Sequence, residues 1–158
     1  MHSWIAPSVA SLCLAGTCAA QSFNIDIGNA TPTPSSSFGA AAGQAGVWNT
    51  YVGGTLNGLF DTGGNATAVS MSGTSGGFLG SFSDPTTFGD DDALMDDGML
   101  IPFFETYTVS GLAAGSYSIY YYVWTVSPLP TGLDINGQGM QTIGGSWPGG
   151  YVAGTTHA

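Results

Sequence analysis

The residues able to do ionic chemistry in this chain are few and of one sign. It carries ten Asp+Glu, two His, and neither Lys nor Arg. Five of the ten acids fall in residues 90–97 (DDDALMDD). Hard cations take carboxylate and carbonyl oxygens from irregular loops. Asp90, Asp92, Asp96 and Asp97 are therefore candidate ligands for a structural calcium. The spacing lacks the alternation and distal Glu of an EF-hand. The competing reading is a solvated acidic turn whose Asp residues favour a helix N-terminus. Glu105 and Asp134, with the same cluster, are the carboxylates available for two-carboxylate glycoside chemistry. One of such a pair needs a raised pKa, from burial or a close anion.

Aromatic rings are the second resource. Trp48, Trp124, Trp147, Tyr120, Tyr122 and Tyr151 are candidates for a surface on which a sugar ring stacks. Amides nearby in sequence would read its hydroxyls. The candidate ligand-binding set is Trp48, Asn49, Asn136, Gln138, Trp147 and Tyr151. Core packing is the competing reading for each Trp. Trp124, in a strand-like run, best fits a core; Trp147, in a Gly-Gly-Ser-Trp-Pro loop, best fits an exposed position.

What is missing excludes several functions. Without Lys or Arg nothing neutralises phosphates, so nucleic-acid backbone binding is excluded. Basic anchoring to anionic lipid is excluded as well. The Gly-rich stretches lack the Lys and the strand-to-helix setting of a phosphate loop.

Residues 4–20 (WIAPSVASLCLAGTCAA) hold no charged side chain and end in small residues. The run is short for a bilayer span, which needs about 20 residues, and it fits a signal peptide over residues 1–20. The n-region has His2 in place of a basic residue. Both cysteines, Cys13 and Cys18, lie within this segment. A mature domain of residues 21–158 would then hold no thiol, disulfide or thiolate metal site, and no membrane span. Its single His157 makes a Ser-His-Asp site a poor fit. Asn65-Ala66-Thr67 matches a glycosylation acceptor.

The elements that must position these residues read as strands. Residues 22–28 alternate, with Phe23, Ile25 and Ile27 opposite Asn24 and Asp26. Residues 66–72 alternate again, with Val69 and Met71 on one face. Residues 38–49 (FGAAAGQAGVWN) combine Ala with Gly breaks and suit irregular close packing. Residues 90–98 fit one short helical turn stopped at Gly98. Residues 116–126 (SYSIYYYVWTV) put Tyr117, Ile119, Tyr121 and Val123 on one face and Tyr120, Tyr122, Trp124 and Val126 on the other. Aromatic and β-branched residues on both faces predict a central strand. Asn136-Gly137 predicts a hairpin turn. Gly is 26 of 158 residues, about twice the usual share, and sustained helical periodicity is lacking. The reading is all-β: a jelly-roll-type β-sandwich with one short helical turn.

The blocks FNIDIG, FGAAAGQAGVWN, LMDDG, TYTVSGLAAGSYSIYYYVW and TGLDINGQGMQTIGGSWPGGYVAGTTHA resemble a group of secreted bacterial, planctomycete-type proteins. These have galactose-binding-like jelly-roll domains and sometimes carry C-terminal sorting tails. The resemblance covers residues 23–158, and its most specific parts are Ala45 to Asn49 and Gly144 to Pro148. It implies export and a jelly-roll fold, with further strands beyond residue 158 in a C-terminally truncated sequence.

Together these observations lead to an exported, non-catalytic module at the cell surface or outside the cell, with a polysaccharide or surface glycan as partner. The alternatives are a structural surface or matrix protein that divalent ions cross-link, and a glycoside-active enzyme using Glu105 and Asp134.

Overall fold

Short alternating runs between glycines leave the backbone to pair between strands, and strands are what form. The computed structural model describes residues 21–28, 31–74, 78–81, 83–100, 104–123 and 131–158, with the side chains of Phe78, Asp97, Met99 and Leu100 left out. The expected signal peptide and Trp124 lie outside the described residues. In chain order the elements are β1 (Asn24–Ile27), β2 (Trp48–Tyr51), β3 (Thr55–Asn57), β4 (Ser70–Gly73), β5 (Phe78–Ser81), α1 (Asp90–Met95), β6 (Asp97–Leu100), β7 (Tyr107–Ser110), β8 (Thr131–Leu133) and β9 (Gln141–Ile143). A single 3-10 turn at Ala40–Ala42 precedes β2. Among the described residues the fold is all-β with one short α-helical turn.

β1 and β2 pair in parallel, Asn24 opposite Trp48 and Ile27 opposite Tyr51. β3, β4 and β7 form an antiparallel sheet in that order. β5 pairs with β6 and β8 with β9, both antiparallel.

Two apolar clusters hold these pieces. In the first, Tyr51, Leu59, Val69 and Met71 are buried and Ile25 and Tyr107 pack against them. Fully burying a large apolar side chain is worth roughly 1.5–3 kcal/mol. Val69 and Met71 face inward together, as the alternation of residues 66–72 predicts. In the second cluster Leu94, Met95 and Trp147 are buried, with Phe38, Trp48 and Tyr151 against them.

Four expectations need adjusting. The polar face of β1 is buried more deeply than its apolar face. The reason is that residues 38–49 cover it: Asn24 Nδ2 donates to the Gln44 carbonyl at 3.0 Å, and Asn49 Nδ2 donates to the Asn24 carbonyl at 3.0 Å. The helical turn is present, but it ends at Met95, where the Asp96 N–H bonds to the Asp92 carbonyl at 3.0 Å. Gly98 then pairs with Gly80 inside a strand rather than stopping a helix.

The central strand expected over residues 116–126 is not formed in its described part. Residues 116–120 have no ladder and are exposed. Pairing starts at Tyr121, whose N–H donates to the Ala158 carbonyl at 2.9 Å, and continues with Val123 N–H to the Thr156 carbonyl at 3.1 Å. A ladder needs a neighbour, and among the described residues that neighbour spans residues 156–158 alone.

The hairpin at Asn136-Gly137 is real but wider than a two-residue loop. Both residues have positive φ, 54° and 72°, and Gln138 N–H closes the turn on the Ile135 carbonyl at 3.1 Å. These are the signs of a type I′ turn. The strands resume further out, with Leu133 opposite Gln141.

Candidate functional site

The expected ligand-binding residues divide into two places. Trp48, Trp147 and Tyr151 meet in the second apolar cluster. Trp147 is 8% exposed, which overturns its expected place on an open loop. Its ring lies edge-on to Tyr151, centroids 5.3 Å apart, and Tyr151 lies edge-on to Tyr122 at 5.6 Å. The loop folds inward because α1 presents Leu94 and Met95 to it. Trp48 stacks on Phe38 at 6.2 Å and donates its indole N–H to the Phe38 carbonyl at 3.3 Å. Tyr151 donates its hydroxyl to Asp91 at 2.8 Å. Burial, together with the Asp91 carboxylate, pushes the Tyr151 phenol above its ordinary value.

Asn49 is also withdrawn from solvent. Its Nδ2 donates to the carbonyls of Asn24 and Phe60, at 3.0 and 2.8 Å, and its Oδ1 accepts from Phe60 N–H at 2.8 Å. The amide that was a candidate for reading sugar hydroxyls instead ties the β1–β2 pair to the chain after β3. A buried amide is stable only when its hydrogen-bonding capacity is met, and here neighbouring backbone meets it.

Asn136 and Gln138 are exposed and come together with residues of a different segment. Between residues 112–119 and residues 135–141 lies an open groove of about 510 Å³. Its walls include Leu112, Ser116, Tyr117 and Ile119 on one side and Asn136, Gln138 and Gln141 on the other. Gly111 makes the bend that starts the first wall: its φ is +83°, and a Cβ there would stand 2.8 Å from the Ala68 carbonyl oxygen. The type I′ turn at Asn136-Gly137 sets the second wall. Tyr117, 37% exposed, offers its ring while its hydroxyl donates to the Ala113 carbonyl at 2.9 Å. Ring, aliphatic surface, three side-chain amides and a hydroxyl can together stack on and hydrogen-bond a polyhydroxylated ligand.

The alternation of residues 116–126 places Tyr117 and Ile119 on one side, and both line the groove. Nothing in the sequence indicates that they stay uncovered, or that Gln141 joins them across the hairpin.

The acidic cluster is dispersed into local bonds. Asp90 accepts from Ser35 N–H at 2.6 Å and from the Ser35 hydroxyl at 2.7 Å. Asp96 is 1% exposed and accepts from Asp84 N–H and the Thr87 hydroxyl, both at 2.8 Å. Asp92 lies in the first turn of α1. The Asp97 side chain lies outside the described residues. Among the described residues no three His, Cys, Asp or Glu side chains converge as metal ligands.

Glu105 and Asp134 serve different surroundings. A Cβ placed on Gly73 would stand 2.6 Å from Glu105 Oε1 and 2.5 Å from the Tyr51 hydroxyl, so these two groups meet over that glycine. Burial, and then the Glu105 charge, raises the Tyr51 phenol. Asp134 Oδ1 accepts from Gly139 N–H at 3.2 Å inside its own hairpin loop. Among the described residues the groove wall contains no carboxylate.

No helix among the described residues is long and apolar enough to cross a membrane. Comparison of the chain with protein-family models, curated proteins and solved structures finds no match.

Proposed function

We propose that this chain is an exported, non-catalytic β module that binds a glycan in the groove between residues 112–119 and 135–141. The single observation that carries the reading is the make-up of that groove. Tyr117, Leu112 and Ile119 give it apolar surface, and Asn136, Gln138, Gln141 and Ser116 give it neutral hydrogen-bonding groups. Sugars present both kinds of surface, C–H faces that stack on rings and hydroxyls that pair with amides. Export rests on the uncharged N-terminal run and its small-residue end. A jelly-roll arrangement of the strands belongs to the same reading.

Affinity electrophoresis of residues 21–158 through gels containing single polysaccharides tests it. At least one polysaccharide retards the protein, and Tyr117→Ala releases it. Unretarded migration through every gel, by protein with a cooperative melt, contradicts the reading.

A further inference from the structure

The groove has a second property that bears on which glycan it takes; this inference rests on the binding reading above. Ligand discrimination in such a site depends as much on what it repels as on what it holds. An anionic sugar brings a carboxylate or sulfate that loses water on entering, and that loss is offset only by a cation or by several aimed donors. The chain has no Lys or Arg anywhere. His157 stacks on Tyr120 at 6.1 Å, lies 6.0 Å from Tyr122, and is not among the residues that line the groove. The wall itself offers side-chain amides and one hydroxyl, neutral groups that pair with neutral hydroxyls and bring no charge to compensate an anion. Around it stands a protein of formal charge −10, whose summed field repels anions over a Debye length, roughly 30 Å at 0.01 M salt and 10 Å at 0.1 M.

We infer that the groove selects neutral glycans and rejects uronate-bearing or sulfated ones. The selection is made by the absence of any Lys or Arg side chain to receive the charge, reinforced by long-range repulsion. Its consequence is a characteristic salt response. Neutral binding is nearly indifferent to salt, while the penalty on an anionic chain shrinks as salt rises.

The test is a calorimetric titration of residues 21–158 against neutral glucans, mannans and galactans. Each is paired with its own carboxymethylated derivative, in chelator, at 10 mM and 500 mM NaCl. The expected result is binding of at least one neutral polymer, with its carboxymethylated form at least tenfold weaker at 10 mM and the gap narrower at 500 mM. Gln138→Lys places a cation on the wall and is expected to raise affinity for that carboxymethylated form by tenfold or more. Equal or tighter binding of the anionic form by the native chain overturns the inference and leaves the glycan reading standing. So does a Gln138→Lys variant that gains nothing. Binding of neither form overturns both.

Discussion

Two regions of this molecule gather large apolar side chains, and they put them to opposite uses. Around Trp147 the rings face one another: Trp147, Tyr151 and Tyr122 form a run of edge-on contacts at 5.3 and 5.6 Å. Polar atoms there are bonded inward, the Tyr151 hydroxyl to Asp91 and the Trp48 indole to the Phe38 carbonyl. Around Tyr117 the large side chains face solvent, with Tyr117 37% exposed and Ile119 55% exposed beside side-chain amides. The same residue types thus make a core in one place and a binding wall in the other. What separates them is whether a second element arrives to cover them. Leu94 and Met95 of α1 cover Trp147, whereas among the described residues no strand pairs with residues 116–120.

This contrast predicts that substitutions in the two regions act on different observables. The largest effect is expected from Trp147→Ala, which empties a buried site in the second cluster. Loss of a buried Trp typically removes about 3–5 kcal/mol. A urea melt is expected to show that loss, and a change under about 1 kcal/mol would place Trp147 outside the core.

Asn49→Ala comes next. It strands the Asn24 carbonyl and both backbone groups of Phe60, at about 1–3 kcal/mol for each buried group left unpaired. Partial solvation on relaxation brings the expected total to about 2–3 kcal/mol, again measured by urea melt. Loss of glycan binding with stability untouched would return Asn49 to the ligand set.

The packed tyrosines predict a response to alkali. Burial raises the phenols of Tyr51, Tyr107, Tyr121, Tyr122 and Tyr151 above their ordinary value of 10.0. A raised folded-state value means the folded chain holds its protons longer than the unfolded chain. The stability tied to those protons is complete below pH 10.0, the unfolded value, and falls as pH climbs past it towards the folded values. Melting temperature is expected to fall above that pH, and less steeply in Tyr151→Phe. An equal fall in that variant would show that Tyr151 is not among the groups responsible.

The smallest effect on stability is expected from Tyr117→Ala, within about 0.5 kcal/mol because the ring is exposed. Its effect is expected instead on glycan affinity, about tenfold, for loss of one stacking ring. Destabilisation without loss of binding would reverse the assignment of the two regions.

The local turns and alternations were the legible part of the sequence. Asn136-Gly137 announces its turn because few residues accept positive φ at consecutive positions. Val69 and Met71 announce their shared face through a period of two. The acidic run 90–92 announces α1 through its charge at a helix start. Long-range cover was not legible. Trp147 sits in a loop whose glycines suggest exposure, and only the inward face of α1, far away in sequence, makes it core. Residues 116–120 carry the alternation of a central strand, yet among the described residues no strand pairs along them, and periodicity does not report partners. The site follows the same rule. Asn136 and Gln138 were identifiable as amides on a turn, while their meeting with Tyr117 depends on a hairpin folding against a distant segment.

The most direct test of the account is a two-dimensional NMR titration of residues 21–158 with a polysaccharide fragment that retards the protein. Binding in the groove predicts shifts of the amide signals of residues 112–119 and 135–141 and of the side-chain amides of Asn136, Gln138 and Gln141. It also predicts an unmoved Trp147 indole signal. Shifts centred on the Trp147 and Trp48 indoles, with the groove signals still, would contradict it.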